Sequence, residues 1–542
     1  MSLRARSPRS RRDFHAASGV LLVLRDPPPP PPPAPGQPPA VPGNPAEGPE
    51  ILLAVWDDGS VTALNGHVDL GTGIRTALAQ IVAEELDIGV DRIEMVLGDT
   101  ARAPNQGATI ASASIQIHAV PLRQAAAQAR AWLLAQAAER LGVAPASLSV
   151  DGGVVRTGPE AAATDSDAPG ADATGAAVSY AELVAGRHVE LMLSADTPTK
   201  PVDDFRIVGR SVPRVDIPAK ATGELVFVHD MRVDGMLHGR VVRPPYAGAD
   251  HGDFIGNSLE AVDESSIAHI PGIVAVVVIR DFVGIVAERE ELAEQAMREL
   301  KLRWKPVPRL PALDDLAQAI RDNPSTTRVV ADQGDVDAAL AGAASRLKRS
   351  YVWPYQMHAS IGPSCALADW RGDALTVWAG TQYPHALRAD LALLTGLPET
   401  AVEVVRMEAS GCYGRNCADD VAADAALLSR AVGRPVRVQL TREQEHLWEP
   451  KGAAQLMEID GGLNADGSVA GYDFSTSYPS NGAVTLALLL TGTVAARPVA
   501  YEMGDRTSVP PYRYENLRVR INDMAPILRA SWLRGVSALP NS

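Results

Sequence analysis

Two segments of small residues near the start of the chain constrain its fold more than any other feature. The first, residues 66–73 (GHVDLGTG), runs directly into apolar residues spaced by three and four from Ile74 to Leu86, which predicts an amphipathic helix. A glycine-rich turn that opens a helix presents free backbone N–H groups and the positive end of the helix dipole, which suits an anion. The second, residues 109–114 (TIASAS), is small and hydroxyl-rich, so its backbone can lie against a ligand. We expect the two segments to form two walls of an anion-binding crevice.

Two other interpretations of the first segment stay open. A glycine before a helix is commonly no more than a tight turn. The segment also approaches a dinucleotide-binding fingerprint through Gly71 and Gly73. Thr76 stands where the third glycine of that fingerprint should be, so the close strand–helix packing that glycine permits is lost.

Length and composition limit the class of protein. A chain of 542 residues predicts several domains, and 46% hydrophobic with 21% charged residues is ordinary for a globular protein. The formal net charge of −15 argues against a nucleic-acid partner, because neutralising phosphates needs a basic face. No apolar run reaches the roughly 18 residues of a transmembrane helix, so no membrane span is expected.

The three cysteines, Cys365, Cys412 and Cys417, cannot form a disulfide framework. No C-x-x-C array offers ligands for zinc or an iron–sulfur cluster. Cys412 and Cys417 lack nearby third and fourth ligands, so no metal is expected there. A local disulfide between them stays open if the chain is exported.

The N-terminal residues 1–26 are rich in arginine before the first acid, Asp13. The segment Ser10–His15, followed by the apolar run Ala16–Leu24, resembles a twin-arginine export signal. The apolar run is short, however, and no clear A-x-A cleavage site follows it. The alternative is a disordered basic tail, so the expected location is periplasmic in the first case and cytoplasmic in the second.

The rest of the chain divides into segments by composition and periodicity. The proline content of residues 27–49 predicts an extended spacer, and the low-complexity composition of residues 158–177 predicts a surface loop. An α+β unit is expected from about residue 209 to 304, then a connector with one short helix, then a region of alternating strands and helices from about residue 331. The predicted strands and apolar runs are Ile51–Trp56, Ser60–Leu64, Arg92–Leu97, Leu225–His229, Met236–Val242, Ile273–Ile279, Phe282–Ala287, Leu302–Trp304, Ser350–Trp353, Ala374–Ala379, Ala401–Met407 and Pro435–Gln439, and the further helices are Leu122–Leu141, Glu290–Leu300, Pro384–Leu394 and Asp420–Val432.

Three further features carry chemistry. Gln382 follows an apolar strand, where its amide can face a cleft. Residues 410–416 (SGCYGRN) repeat the arrangement at Gly71, small residues before a helix, and Arg534 is a cation in an otherwise apolar segment. Each alone fits a loop amide, a tight turn or a surface arginine. Their occurrence together favours a binding site.

Together these motifs resemble the large, molybdenum-cofactor-binding subunit of the xanthine dehydrogenase/aldehyde oxidase family. The similar branch is that of isoquinoline 1-oxidoreductase and nicotinate dehydrogenase. The resemblance runs from residue 50 to 542 and rests on GHVDLGTGIRTALAQIVAEEL, TIASASIQ, VGRSVPRVDIPAKATGE, GMLHGRVVRPP, GTQ, SGCYGRN with the following DDVAADAALLSRAVGRPVRVQ, and SWLRG.

The resemblance implies an α+β fold with a hammerhead domain and incomplete molybdenum-cofactor-binding domains. Residues 50–205 correspond to a rearranged part of the second cofactor-binding domain and 206–305 to the hammerhead domain. Residues 306–330 are a connector, and 331–542 the first cofactor-binding domain, truncated at its C-terminus. The implied cofactor is molybdopterin with molybdenum, in the cytosine dinucleotide form.

The same resemblance implies roles for individual residues. Gln382 would hydrogen-bond an oxo ligand of the molybdenum, and Arg534 would contact the cofactor or a substrate oxygen. Tyr413 would stand beside the substrate channel. The residues whose backbone would pass the metal are Gly411, Cys412, Tyr413 and Gly414, and those that would bind the pterin and its phosphate are Leu70, Gly71, Thr72, Ser112, Ala113 and Ser114.

Family chemistry is the hydroxylation of an electron-poor C–H carbon of an N-heteroaromatic compound or aldehyde, with water as the oxygen source. The cofactor carries the redox chemistry, and the protein supplies positioning and proton transfer. The chain offers no cluster ligands and no flavin motif, so a separate small [2Fe-2S] subunit is expected to accept the electrons. A cytochrome c is a further expected acceptor.

The family's general base, a glutamate in a G-x-G-E segment, has no counterpart in this chain. Glu408, Glu443 and Glu445 lie in no matching motif, and Glu443 and Glu445 are expected to form a surface pattern with Arg442. No catalytic base is therefore predicted. Three hypotheses follow: an active hydroxylase subunit whose remainder is encoded separately, a truncated inactive relative that binds cofactor or partners, or an unrelated multidomain binding protein. A G-x-G-E segment in an adjacent reading frame would favour the first.

Overall fold

The computed structural model describes residues 8–28, 48–157 and 176–542 of the chain. The predicted proline-rich spacer and the predicted low-complexity loop lie almost wholly outside the described residues. Among the helices of the described ranges, none is long and apolar enough to cross a membrane.

The N-terminal domain is a five-stranded sheet with the strand order β4-β3-β2-β1-β8 and a small antiparallel sheet β5-β6-β7. Its strands are β1 (Val20–Arg25), β2 (Glu50–Trp56), β3 (Val61–Asn65), β4 (Ile93–Leu97), β5 (Leu148–Asp151), β6 (Val154–Thr157), β7 (Ala177–Ser179) and β8 (His188–Met192), and its helices are α1 (Arg11–Ala16), α2 (Ile74–Leu86), α3 (Ala119–Leu141) and α4 (Tyr180–Val184). Helices α2 and α3 pack on one face of the larger sheet, where α3 buries mainly alanines and so lies close to it.

The expectation that residues 1–26 form a signal or tail apart from the fold is wrong for residues 8–26. Strand β1 pairs antiparallel with β2 and parallel with β8, and Leu21 and Leu22 are fully buried. The preceding helix α1 begins at a capping box formed by Ser10 and Asp13, and its Phe14 is buried. An apolar run that resembles an export signal is therefore a central strand. The proline-rich segment connects two neighbouring antiparallel strands, since Arg25 pairs with Glu50.

The second half of the chain contains two larger sheets. A seven-stranded sheet has the order β11-β12-β9-β19-β16-β17-β18, and a five-stranded sheet the order β14-β23-β22-β21-β15. The strands are β9 (Leu237–Val242), β10 (Leu259–Asp263), β11 (Ile273–Ile279), β12 (Phe282–Ala287), β13 (Lys301–Trp304), β14 (Ser325–Gln333), β15 (Ser345–Trp353), β16 (Cys365–Arg371), β17 (Ala374–Ala379), β18 (Val402–Arg406), β19 (Val436–Gln439), β20 (Lys451–Gly452), β21 (Gln455–Leu463), β22 (Val469–Pro479), β23 (Leu517–Met524) and β24 (Ala530–Ser531). The helices are α5 (Ile217–Thr222), α6 (Glu290–Glu299), α7 (Leu316–Asp322), α8 (Val336–Gly342), α9 (Pro384–Thr395), α10 (Ala418–Val432), α11 (Arg442–Trp448), α12 (Leu486–Leu490) and α13 (Ala538–Asn541).

The seven-stranded sheet crosses the predicted boundary between the α+β unit and the third region. Strand β19 pairs in parallel with β9, so Val436 lies beside Leu237, and both contribute to one hydrophobic core. Helix α10 packs tightly on this sheet. A Cβ atom at Gly239 or Gly284 would stand 2.8 Å or 2.5 Å from Leu428, so glycine at both positions makes room for that leucine. The predicted connector holds α7 as expected but ends earlier, because β14 starts at Ser325.

The structure confirms a mixed helix–strand fold, with strand bounds at β11, β12 and β17 that match the predicted ones, whereas the apolar run Leu225–His229 forms no strand. Chain order alone could not predict that β9 and β19 are neighbours. Nearly two hundred residues separate them, and a parallel pair carries no local turn signal.

We expect Leu22→Ala to lower the free energy of unfolding by about 2–5 kcal/mol, because it leaves a cavity in the middle of the sheet. Urea unfolding followed by circular dichroism measures the change. Arg12→Ala, at an exposed position of α1, is the control and should shift the free energy by less than about 0.5 kcal/mol. Equal stability of the leucine variant and the unmodified chain would show that β1 is not part of the core.

Candidate functional site

Gln382 joins two of the sequence-predicted site segments through both ends of its side-chain amide. Its Nε2 donates to the carbonyl oxygen of Thr109 at 2.7 Å, and its Oε1 accepts from the N–H of Gly414 at 3.0 Å. The N–H of Thr109 returns a bond to the main-chain oxygen of Gln382 at 3.2 Å. The amide is almost fully buried, and its nitrogen keeps a second hydrogen for a ligand.

The loop Gly411–Gly414 has a backbone that few residue types can adopt. The φ angles are +122° at Gly411, +62° at Tyr413 and +136° at Gly414. A Cβ at Gly414 would lie 2.0 Å from the carbonyl oxygen of Trp532, so only glycine fits there. Across residues 8–28, 48–157 and 176–542, no protein acceptor takes a hydrogen bond from the N–H of Gly411, Cys412 or Tyr413. Successive free N–H groups of this kind form an anion-binding concavity.

The segment around Arg534 lies against this loop. The N–H of Arg415 donates to Trp532 at 2.9 Å, and the N–H of Arg534 donates to Tyr413 at 3.1 Å. Gly414 and Leu533 form an antiparallel bridge. The Arg534 side chain is exposed and its guanidinium has no partner among the described residues, while Tyr413 is 49% exposed. Backbone pairing therefore presents a free cation and a half-exposed phenol at one surface.

The segment at residues 109–114 reaches the same cluster through Thr109. Ala111 and Ser112 adopt positive φ angles of +55° and +54°, and a π-helix over Ser114–His118 precedes α3. Such strain and such bulges are concentrated at functional sites. Ser112 is exposed and Ala113 is buried, while the hydroxyl of Ser114 lies 2.7 Å from Nδ1 of the buried His67.

Leu70, Gly71 and Thr72 form a surface turn whose expected free N–H groups are partly used within the protein. The carboxylate of Asp69 accepts from the N–H of Gly71 at 2.8 Å, of Gly73 at 3.2 Å and of Arg75 at 3.0 Å. The expectation that this helix start is open to an external anion is therefore wrong at those groups, because an internal carboxylate already caps them.

The turn at residues 70–72 makes no direct hydrogen bond to Gln382 among the described residues and is connected to it through Val68 and Thr109. The N–H of Val68 donates to the hydroxyl of Thr109 at 2.9 Å, on the Gln382 side. The carbonyl of Gly71 instead accepts from Arg214 at 2.9 Å. The structure thus brings together Thr109, Gln382, Gly411–Gly414 and the backbone of Arg534. Ser112–Ser114 follow Thr109 in the chain and Leu70–Thr72 follow Val68, but among the described residues no hydrogen bond joins either set to Gln382 or to the loop.

A cavity of about 910 Å³ lies near the start of α2. Its lining includes Arg75, Arg406, Asp216 and Glu408, so it carries both signs of charge. Glu408 pairs with Arg406 at 3.0 Å and approaches Arg75 at 3.8 Å. These ion pairs occupy Glu408, which therefore gains no role as a base.

Cys412, in the loop, and Cys417, just after it, are free thiols, so the disulfide left open between them does not form. The thiol of Cys412 approaches the carbonyl of Gly414 at 2.7 Å, inside the loop. Burial raises the pKa of Cys412 to about 12, and burial also raises that of Cys417. Both are unreactive packing groups at neutral pH.

A buried ion pair connects the end of the loop to helix α10. Arg415 pairs with Asp419 at 3.3 Å and donates to Thr485 at 2.7 Å. Burial raises the pKa of Asp419 to about 6, and the Arg415 charge opposes that rise. Arg415 lies within the predicted 410–416 motif but was given no role there, and the structure shows that it anchors the loop to the start of α10.

Three buried groups near the loop were not predicted, or were wrongly predicted, from sequence. Glu445 is fully buried and accepts from the N–H of Ser364 at 2.6 Å, so its expected place in a surface pattern is wrong. His358 and Glu449 form a buried pair beneath Trp532. No local motif marks these residues, because their partners are remote in sequence.

Two family models, each a molybdopterin cofactor-binding domain, match residues 36–205 and 320–525. The chain belongs to the molybdopterin-binding family. The Gln382 amide therefore links the two matched domains, since Thr109 lies in one and Gly414 in the other. The resemblance predicted from the sequence motifs is confirmed.

Named relatives agree with this assignment. The chain is 65% identical over 535 residues to a nicotinate dehydrogenase subunit of Pseudomonas putida, covering 98% of this chain and 44% of that protein. It is 27% identical to the beta subunit of isoquinoline 1-oxidoreductase from Brevundimonas diminuta, covering 76% of this chain and 57% of that protein. The fold is also similar to the crystal structure of quinoline 2-oxidoreductase from Pseudomonas putida 86. The match covers 61% of this chain and 46% of that one, with a TM-score of 0.49 and 18% identity. The chain spans less than two thirds of the length of each.

We expect Gln382→Leu to lower the free energy of unfolding by about 1–3 kcal/mol, because it leaves the Gly414 N–H and the Thr109 carbonyl buried without partners. Chemical unfolding monitored by tryptophan fluorescence measures the loss. Gln295→Leu, which removes an exposed amide from α6, is the matched control and should change little. Identical unfolding curves for the two variants would rule out the bridging role.

We expect the free energy of unfolding to fall at acidic pH because of His67, which contacts Ser114. Burial, reinforced by His118, lowers the pKa of His67 from 6.5 to about 4. The unfolded chain then binds more protons than the folded one between these values, so stability falls as pH drops from 6.5 towards 4. We expect the loss between pH 7 and 4.5 to be about 1–3 kcal/mol smaller in His67→Gln. Urea titrations at the two pH values test this, with the exposed His446→Gln as control.

Proposed function

We propose that this chain is the cofactor-binding subunit of a molybdenum hydroxylase that oxidises a C–H carbon of an N-heteroaromatic compound, with water as the source of oxygen. The observation that carries the proposal is the convergence of Gln382, the Gly411–Gly414 loop and Arg534 across the two matched domains. The 65% identity to a protein of nicotinate dehydrogenase supports it. Aldehydes are the second substrate class.

The groups present fit an anionic pterin cofactor. The free N–H groups of Gly411, Cys412 and Tyr413 and the second amide hydrogen of Gln382 are donors without protein acceptors in the described chain. Ser112 would add a hydroxyl from the opposite segment. The cofactor, when bound, supplies the two-electron redox chemistry, and these donors hold and orient it.

We further propose that the substrate carries a carboxylate, as a pyridine carboxylate does. The exposed guanidinium of Arg534 offers a bidentate partner for such a group. Tyr413 lies in the same backbone-paired unit and can contact a planar ring. The two side chains together would orient an aromatic acid and select against a neutral analogue.

The remaining parts of the system are proposals of the same kind. We propose the cytosine dinucleotide form of the cofactor, a small [2Fe-2S] subunit as first electron acceptor and a cytochrome c beyond it. Residues 206–305 would be the hammerhead domain. Since the chain has no G-x-G-E segment, the general base would come from a polypeptide region outside these 542 residues.

The test is to co-produce the chain with its [2Fe-2S] subunit and the region supplying the base, in a host that makes the cofactor. We expect near-stoichiometric molybdenum, cytosine nucleotide on acid release, and ¹⁸O from labelled water in hydroxylated nicotinate. Gly414→Ala should bind about tenfold less molybdenum, because its Cβ would strike the Trp532 carbonyl. Gly467→Ala is the matched control: Gly467 also has a positive φ, of +85°, but open space around it.

A second candidate, an inactive relative that binds only cofactor or partners, is favoured by the missing G-x-G-E segment alone. Molybdenum retention without hydroxylation, even after the base-bearing region is supplied, would select it. Absence of molybdenum from the unmodified chain would contradict both candidates.

A further inference from the structure

A histidine–carboxylate pair lies directly beneath the loop that would hold the cofactor. The side chains of His358 and Glu449 are both fully buried, and Nδ1 of His358 lies 2.7 Å from Oε1 of Glu449. The same oxygen accepts from the main-chain N–H of His358 at 2.6 Å. The carboxylate thus accepts a hydrogen bond from the backbone of His358 and lies against its ring.

The other ring nitrogen reaches the site. Nε2 of His358 lies 3.0 Å from the carbonyl oxygen of Trp532, the oxygen that also accepts from Arg415. A Cβ at Gly414 would stand 2.9 Å from this Nε2, so ring and loop are in close contact. The tautomer that carries its proton on Nε2 donates to the Trp532 carbonyl oxygen.

The Trp532 carbonyl connects His358 to the loop that would bind the ligand. Immediately after it, Leu533 bridges Gly414 and Arg534 donates to Tyr413. If the carbonyl turned away, Arg415 would lose its acceptor and the backbone pairing of Tyr413 and Gly414 with residues 533–534 would loosen. Neither His358 nor Glu449 is exposed, so neither can itself touch a ligand at the surface.

We propose that His358, held by Glu449, is a positioning residue that fixes the Trp532 carbonyl and thereby sets the Gly411–Gly414 loop and Arg534 for ligand binding. The inference deepens the proposed function and rests on it for the identity of the ligand. Its structural part, the rigidity of the loop, stands independently of the cofactor.

The reactivity of Cys412 can measure local opening of the loop. Cys412 is buried within it, while Cys365 and Cys417 are buried elsewhere in the core. Trypsin places the three thiols on separate peptides, because Arg406, Arg415 and the other arginines around them separate the cysteines. Maleimide labelling of the native full chain, read by peptide mass spectrometry, therefore distinguishes local opening at Cys412 from global unfolding, which exposes all three.

We expect His358→Ala to label at Cys412 about tenfold faster than the unmodified chain, with Cys365 and Cys417 unchanged. His358→Gln, whose amide can still donate to Trp532, should restore labelling to within about twofold. His385→Ala removes another buried histidine, on α9, and should not raise Cys412 labelling selectively. If the alanine variant does not fold, His358→Asn, whose amide is too short to reach Trp532, replaces it.

Molybdenum per chain is the second measurement. We expect it to fall in His358→Ala and to recover in His358→Gln. Unchanged Cys412 labelling in the alanine variant, or all three thiols rising together, would overturn the positioning role whatever the molybdenum content. An unmodified chain without molybdenum would overturn the proposed function, and the thiol result alone would then decide the role of His358.

Discussion

The buried amide of Gln382 is the interaction on which the candidate site depends. It donates to Thr109, 273 positions away in sequence, and accepts from Gly414. A planar amide that uses both ends tolerates little sliding, because any shift leaves a buried donor or acceptor unpaired. Thr100 adds a second tie between the same domains, since its N–H and hydroxyl both bond the backbone of Val404. The two domains therefore meet in one register, and the crevice between them has a defined shape.

The two glycine turns that precede helices, at residues 66–73 and 411–414, differ in role. Both precede helices, yet one N-terminus is closed by Asp69 and the other loop keeps its N–H groups free. A carboxylate two residues before a glycine turn folds back onto the turn, so the first helix needs no external anion. In the Gly411–Gly414 loop no acidic side chain stands at the matching place, and the neighbouring cysteine points inward. The anion-binding capacity is thus concentrated on the C-terminal domain.

Much of the fold and part of the site follow from local sequence, and the failures share one cause. The strands β11, β12 and β17 and the loop at Tyr413 are predictable because apolar runs and glycine turns are local signals. Asp69, two residues before Gly71, is a local signal of the same kind for a capped helix start. Strand β1 is not predictable in this way, because its partners lie beyond a proline-rich segment and more than 150 residues downstream. His358 and Glu449 meet only in the folded chain, 91 positions apart, and no spacing rule marks them.

Helix α10 shows why the loop is held as a preformed element. Besides Asp419, its Asp420 pairs with the fully buried Arg529 at 3.1 Å, and its Asp424 with Arg243 at 3.0 Å and 2.5 Å. Burying so many charges gains little net stability over a hydrophobic core, whereas losing one partner of such a pair costs about 3–5 kcal/mol. The network therefore favours one arrangement of the helix over its alternatives more than it stabilises the fold. Because that helix begins directly after the loop, the arrangement extends to Gly414, and the donors face the crevice before any ligand arrives.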